Sequence, residues 1–377
     1  MQASFLLDAC RAAGIDFYTG VPDSFLRGLC DELYTRYGTD GKHHLVAANE
    51  GNAIALCAGH YLASGRPALC YMQNSGLGNA VNPLASLMDP AVYALPCLLV
   101  IGWRGEPGTK DEPQHVKQGA ITLGQLDLLG IPYFVLGPET SEQEFLDRFH
   151  PLREAMMLGK TAAVVVRKGT LQTDAKPDYS NGNILLREMA AEVILSILPE
   201  DAVVVSTTGK LSREIFEIRE RRGEGHQRDF LTVGSMGHAS MIALGIAREK
   251  PDRPVWCLDG DGAFLMHMGT LPVIANSGVK NFVHVVIDNG AHETVGGMPV
   301  CSGTLKLGAV ALASGYKQAM EISTKEELEQ QVFSLCSGSL SGPSLLAVRC
   351  ACGAREDLGR PTTTPIQNRD AFMSFLK

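Results

Sequence analysis

An α/β fold of two domains, each a mostly parallel sheet flanked by helices, is what this sequence predicts. Three observations carry that expectation. At 377 residues the chain is longer than one ordinary core and suits two domains. Short β-rich runs alternate with longer helical stretches through both halves, the pattern of parallel sheets covered by helices. Near the middle, residues 169–183 turn to Gly, Thr, Asp, Lys, Pro, Ser and Asn, punctuated by Pro177 and Gly182, as a connection would. The expected boundaries are therefore 1–172 for the first domain, 173–183 for a linker and 184–377 for the second domain.

In the first half the strand candidates are 14–19, 44–48, 67–72, 97–102, 133–136 and 162–167, rich in Val, Ile, Leu and aromatics. Between them lie stretches such as 50–64, full of Ala and poor in helix breakers, which read as helices. The second half opens with a helix at 184–198, a strand at 202–206 and a helix at 211–221. Further strands are expected at 255–258, 282–288 and 344–349. The halves look like two similar α/β units with no repeat at the level of residues.

Composition narrows the function. Apolar residues make up 45% and charged residues 20% of the chain, the balance of a globular protein. A net charge of −8 argues against broad polyanion binding, so no nucleic-acid partner is expected. The 10 cysteines are scattered without a C-x-x-C pair and read as small buried hydrophobes in a reducing compartment. The N-terminus lacks a signal-peptide pattern and no long uncharged apolar run occurs, so a cytoplasmic protein without membrane spans is expected.

The chemistry-bearing signals sit at strand tips. Asp259-Gly260-Asp261-Gly262-Ala263 follows an apolar strand and opens a helix; on its own such a turn can be a plain tight connection. One βαβ repeat later, the run Val285-Val286-Ile287 ends in Asp288-Asn289-Gly290. Both polar tips then emerge at the carboxyl edge of adjacent strands, where ligands bind in open α/β sheets. An Asp and an Asn there, with a backbone carbonyl just beyond, supply hard oxygen ligands for Mg²⁺, whose remaining positions phosphates can fill. The glycines let backbone N–H groups approach a diphosphate.

On these residues the sequence resembles the thiamine-diphosphate enzyme family, whose metal motif is Gly-Asp-Gly followed by Asn-Asn. Asp288 replaces the first Asn, whereas the family's ligand is the second position, Asn289. The resemblance implies thiamine diphosphate and Mg²⁺ as cofactors, two thiamine-diphosphate-binding-type domains, and Asp261, Asn289 and the Ala291 carbonyl as metal ligands. It also implies a carboxyl against N1′ of the aminopyrimidine ring, whose protonation lets N4′ take the proton from thiazolium C2. Glu50, in Asn49-Glu50-Gly51 between a strand and an apolar helix, takes that place as the catalytic candidate. The plain alternative is a Glu that complements a helix dipole.

In Gly234-Ser235-Met236-Gly237 the resemblance makes Met236 the apolar wedge between the two cofactor rings and the Gly234 carbonyl an acceptor for N4′. A core Met in a Gly-rich turn is the alternative. Thr208-Gly209-Lys210 is placed on the diphosphate with Gly260, Gly262 and Ala263, and Gln73 and Asn74 are placed on the cofactor. The Thr208 segment is no Walker loop, because Val204 stands where that motif needs glycine. No dinucleotide fingerprint is complete.

The chain leaves no room for a third domain. The compact arrangement resembles the phosphonopyruvate decarboxylase branch and, more distantly, the two-subunit sulfopyruvate decarboxylases. The segments that carry this are Gly20-Val21-Pro22-Asp23-Ser24, Gln73–Asn79, Gly102–Gly108, Asp111–His115 and Asn289–Glu293. The implied reaction is decarboxylation of a small anionic 2-oxo acid, phosphonopyruvate first, in phosphonate biosynthesis. Arg104, Lys110, His115 and Lys117 cluster in one loop and offer donors to a carboxylate or phosphonate, or else form a solvated surface run. Asp23 and Ser24 are expected over the thiazolium, His292 as a proton donor, and His43-His44 as structural. The family builds each site from two chains, so at least a homodimer is implied. The rivals are sulfopyruvate decarboxylation, a carboligating thiamine enzyme, and a nucleotide-binding module without chemistry.

Overall fold

The computed structural model describes residues 1–338 and 340–377. They form two compact units, Met1–Asp178 with Val295–Pro299, and Tyr179–Thr294 with Val300–Lys377. In the first unit the strands are β1 (Tyr18–Gly20), β2 (His44–Val46), β3 (Ala68–Gln73), β4 (Cys97–Gly102), β5 (Tyr133–Leu136) and β6 (Ala162–Val166). They make one parallel sheet in the order β2-β1-β3-β4-β6-β5. Every residue of β4 and β6 is buried, which explains why both read as unbroken apolar runs: helices cover both faces of a parallel sheet.

The helix Glu50–Ser64 shows how local chemistry sets an element that carries the site. Asn49 is in extended conformation and its side chain accepts the Asn52 N–H, a capping bond that starts the helix. Gly65, with φ 69°, ends it in the left-handed region. Its Ile54, Cys57 and Ala58 pack on Cys70, Met72, Leu99 and Ile101 of the sheet.

The second unit contains β7 (Val203–Ser206), β8 (Asp229–Leu231), β9 (Val255–Gly260), β10 (Phe282–Asp288), β11 (Gln318–Ile322) and β12 (Ser344–Arg349). Its parallel sheet runs β11-β12-β10-β9-β7-β8. Read from the other edge, this is β8-β7-β9-β10-β12-β11, the strand order of the first sheet. The similarity of the two halves therefore lies in topology. Alternate residues of the strands feed two cores, Val204, Leu258, Val285 and Ile287 on one face and Val203, Val205, Cys257 and Val286 on the other.

Two strands were not expected from the sequence, β8 and β11. Both lie at the edges of the second sheet, and β11 is mostly half-buried or exposed, so neither shows the apolar run that marks a central strand. In each sheet the chain reverses its direction of travel between two strands, β1 and β3 in the first, β7 and β9 in the second. Crevices at such switch points are where α/β sheets bind ligands. No helix among the described residues is long and apolar enough to cross a membrane.

Candidate active site

In the first unit the tips of β1, β2, β3 and β4 bring together most of the expected side chains. Glu50 is the first residue of its helix and is buried. Its Oε2 accepts Asn79 Nδ2–H at 2.7 Å. A Cβ on Gly76 would lie 2.5–2.7 Å from Glu50 Cγ, Oε1 and Cδ, so this carboxylate occupies space that only a glycine leaves. The Glu50–Gly76 pairing went unnoticed in the sequence, although Gly76 stands in the same short segment as Gln73 and Asn74.

Asp23, after β1, is fully buried. It accepts Gln73 Nε2–H at 2.6 Å and the Phe25 N–H at 2.9 Å, and a Cβ on Gly102 would come within 2.2 Å of its Oδ2. Burial pushes its carboxyl above the ordinary range, against the pull of Gln73, Phe25 and Arg104. Such an acid can hold a proton where an exposed Asp would not.

Arg104 is fixed from several sides. Asp111 takes its Nε at 2.8 Å and Nη2 at 2.5 Å, and Ser24 Oγ accepts Nη1 at 3.0 Å. Its guanidinium lies over the Phe25 ring, 4.7 Å from the centroid. Despite burial, the Arg104 charge and the Glu112 and Gly105 N–H groups hold Asp111 well below the usual carboxylate range. The loop can lie this close to the helix Pro113–Leu128 because two glycines meet there: a Cβ on Gly119 of the helix would lie 1.6 Å from the Gly105 carbonyl oxygen.

Asn74 is wholly buried and spends its amide on this loop. It donates to the Arg104 carbonyl at 2.8 Å and to Thr122 Oγ1 at 2.9 Å, and accepts the Arg104 N–H at 3.1 Å. Its side chain therefore ties the β3 tip to the β4 tip. His115 is buried, its Nδ1 has no hydrogen-bond partner, and burial followed by the Arg104 charge holds its pKa down to about 4. Lys110 and Lys117 are exposed and stand apart from this set. His44 bridges the Gly38 carbonyl at 2.6 Å and Tyr71 OH at 2.9 Å, a structural use.

In the second unit the tips of β7 to β10 converge. Thr208 Oγ1 accepts the Gly234 N–H at 3.1 Å, which ties the segment after β7 to the one after β8. Gly209 has φ 108°, and a Cβ there would approach Thr294 Oγ1 at 2.8 Å. Gly234, Ser235 and Gly237 all have positive φ, 71°, 47° and 86°. For Ser235 that conformation costs energy, which the loop tolerates while presenting Met236. A Cβ on Gly262 would lie 3.2 Å from both Met236 Cε and His292 Cε1, so these three residues meet. Burial holds the His292 pKa down to about 4, leaving a neutral imidazole at neutral pH.

The expected metal ligands are adjacent. Asp261 Oδ1 accepts the Gly262 N–H and Oδ2 the Gly290 N–H, both at 2.6 Å, so the β9 and β10 tips are joined through this carboxylate. Asn289 Oδ1 accepts the Ala291 N–H at 3.1 Å, and the Ala291 carbonyl accepts the Glu293 N–H at 2.8 Å. Burial, and then the neighbouring Asp288 carboxylate, push Asp261 well above the ordinary range. Hard oxygens beside a crowded pair of buried acids are the donor set a divalent cation suits, and a glycine turn that opens a helix suits the phosphates beside it. The residues present fit Mg²⁺ and a diphosphate.

Asp288, where the family pattern has Asn, is balanced by Arg349 of β12, which contacts Asp288 Oδ2, and by Ser302 Oγ at 3.0 Å. Neither partner was foreseen, because each comes from far along the chain. Nor was Asn181, which lies within the expected linker yet donates to the carbonyls of Asn289 at 2.7 Å and Cys350 at 2.8 Å.

Comparison with known proteins places this geometry. Residues 207–348 match the family described as "Thiamine pyrophosphate enzyme, C-terminal TPP binding domain", and residues 2–128 match "Thiamine pyrophosphate enzyme, N-terminal TPP binding domain". The phosphonopyruvate decarboxylase of Streptomyces viridochromogenes is 34% identical over 99% of this chain and 94% of its own. That of Streptomyces hygroscopicus is 33% identical over 100% and 94%. A sulfopyruvate decarboxylase of Methanosarcina acetivorans is 27% identical over 85% and 84%. With a cofactor-binding domain of each type matched in one chain and similarity running end to end, this protein belongs to the thiamine pyrophosphate enzyme family.

Proposed function

We propose that the protein decarboxylates phosphonopyruvate to phosphonoacetaldehyde and CO₂, using thiamine diphosphate and Mg²⁺, in phosphonate biosynthesis. The observation that carries the substrate is the identity of 34% over nearly the whole length of a relative with that activity in its name, against 27% for the sulfopyruvate enzyme. Arg104 supports the same reading. Its guanidinium is fixed by Asp111, Ser24 and Phe25, a preorganised donor for an anionic headgroup.

Bound thiamine diphosphate supplies the electron sink that decarboxylation of a 2-oxo acid requires. Glu50 would hold a proton at its carboxylate against ring N1′, steadied by Asn79. Asp261, Asn289 and the Ala291 carbonyl would hold Mg²⁺, and Thr208, Gly209 and Lys210, with the turn Gly260–Ala263, the diphosphate. Met236, with the Gly234 carbonyl and Ser235 of the same turn, would hold the cofactor in shape, and Gln73 would be a further cofactor contact. Arg104, Ser24 and His115 would orient the phosphonate, and Lys110 would attract it from the loop edge. Asp23, raised by burial, is the group able to deliver a proton to product, while His292, held neutral by burial, would offer a ring N–H as a hydrogen-bond donor only.

We further propose domain boundaries at 1–172 and 184–377 with 173–183 as linker, a homo-oligomer of at least two chains sharing each site, and a cytoplasmic location. The experiment is CO₂ release from phosphonopyruvate by purified protein, with and without thiamine diphosphate and Mg²⁺, beside sulfopyruvate as competitor. Turnover that prefers sulfopyruvate moves the assignment to the sulfonate. Inertness toward both acids with saturating cofactors removes it.

A further inference from the structure

We infer that Glu293 is a positioning residue that locks the amide of Asn289 in the orientation a metal ion needs; the inference rests on the assignment of Asn289 as a ligand. Asn289 has an amide whose two ends are of similar size and opposite character, and only its oxygen can bind a cation. Each end has its own restraint. Oδ1 accepts the Ala291 N–H at 3.1 Å, closing a turn with its own backbone, and retains a second lone pair. Nδ2 donates to Glu293 Oε2 at 2.6 Å. Rotating the amide by half a turn would set its NH₂ against the Ala291 N–H and its oxygen against a carboxylate.

Glu293 can serve as a fixed reference because it is itself clamped. Arg187 Nη1 donates to its Oε2 at 2.7 Å, and the same guanidinium is gripped by Glu214 at 2.7 and 2.6 Å. The Arg187 and Glu214 side chains are 7% and 1% exposed, so this charge pair has little freedom. The other carboxylate oxygen, Oε1, faces Lys210 Nζ at 3.3 Å. One side chain thus spans the metal loop after β10 and the lysine of the segment after β7. Glu293 touches neither metal nor phosphate in this role; it acts through Asn289.

The two oxygens allow the role to be separated from a general need for charge. Glu293→Gln can keep an oxygen toward Asn289 and Arg187 while placing its NH₂ toward Lys210, whereas Glu293→Ala leaves Asn289 Nδ2 without its acceptor. Mg²⁺ affinity is read by titrating chelator-stripped full-length protein, saturated with thiamine diphosphate, and following heat release; no turnover is involved. Loss of a partner that orients a metal ligand costs roughly 10–100-fold in affinity. We expect that loss for Glu293→Ala, a change within about threefold for Glu293→Gln, and no further loss when Glu293→Ala is added to Asn289→Ala. If the alanine chain does not fold, Glu293→Met, which fills similar space without an acceptor, takes its place. Equal affinities for the Ala and Gln variants, or additive losses with Asn289→Ala, overturn the inference while leaving the metal site standing. Unchanged Mg²⁺ affinity in Asn289→Ala alone overturns the ligand assignment and the inference with it.

Discussion

Replacing Gly76 by alanine offers a sharp test of Glu50, because it moves the carboxylate without removing it. Gly76 has φ −68° and ψ −18°, which alanine adopts without strain, so the backbone has no reason to object. The new methyl would sit 2.5 Å from Glu50 Cγ, 2.6 Å from Oε1 and 2.7 Å from Cδ. Carbon contacts settle near 3.5 Å or more, so the Glu50 side chain must retreat by roughly 1 Å. Its Cα is held by the first turn of a capped helix, leaving side-chain rotation as the escape, and rotation pulls Oε2 from Asn79.

A displacement of about 1 Å at a reacting group can cost ~100-fold in rate, equivalent to about 2.7 kcal/mol in the barrier. The stability change is smaller, on the order of 1 kcal/mol for the hydrogen bond, offset in part by the lower unfolded-state entropy of alanine. The measurement is kcat for phosphonopyruvate with saturating thiamine diphosphate and Mg²⁺, together with the thermal midpoint. Gly78→Ala is the control, since a Cβ there meets nothing within 4 Å, and it should be silent. A Gly76→Ala enzyme that turns over within threefold of the parent would refute the placement of Glu50 at the chemistry.

Other outcomes follow from the same geometry. Asp261→Ala should abolish turnover and Mg²⁺ binding together, read by kinetics and by metal titration; retained Mg²⁺ affinity would remove Asp261 from the ligand set. Arg104→Met, which keeps the stem over Phe25 but loses the charged donors, should raise KM for phosphonopyruvate by about 30–100-fold, the value of a charge-assisted hydrogen-bond pair; an unchanged KM moves the headgroup elsewhere. Arg349→Met should lower the urea-unfolding free energy toward the lower end of ~3–5 kcal/mol, because Asp288 is buried while Arg349 is partly solvated. His115 has a folded pKa near 4 below its unfolded value of about 6.5. The unfolded chain therefore binds more protons between those values, and stability present above pH 6.5 is lost as pH falls toward 4. Deleting that titration in His115→Gln should flatten the loss by on the order of 2 kcal/mol, measured as urea midpoints across the window.

How much of this was legible in the sequence depends on distance along the chain. The central strands and the helix at 50–64 were legible because a parallel sheet covered on both faces writes continuous apolar runs. The edge strands β8 and β11 were not: β8 is three residues long and begins with a buried Asp229 paired to Arg219, and the partial exposure of β11 breaks its run. Asp261 and Asn289 declared themselves through a turn whose glycines and polar tips are local. What stayed hidden are partnerships across the fold: Gly76 making room for Glu50, Arg349 neutralising Asp288, Asn181 holding the carbonyl of Asn289. Asn74 carried an expected place on the cofactor, yet its neighbours Arg104 and Thr122 occupy its amide, a use that spacing alone cannot reveal.

The shared strand order of the two sheets has a practical side. It offers matching loop positions, and the two halves fill them with different chemistry. The loop after β4 carries a clamped arginine and its counterpart after β10 carries oxygen ligands. Each half encloses apolar packing of its own. On the role proposed for Arg104, redesign for a different acid headgroup begins in the segment between β4 and β5, whereas the proposed metal ligands lie after β9 and β10.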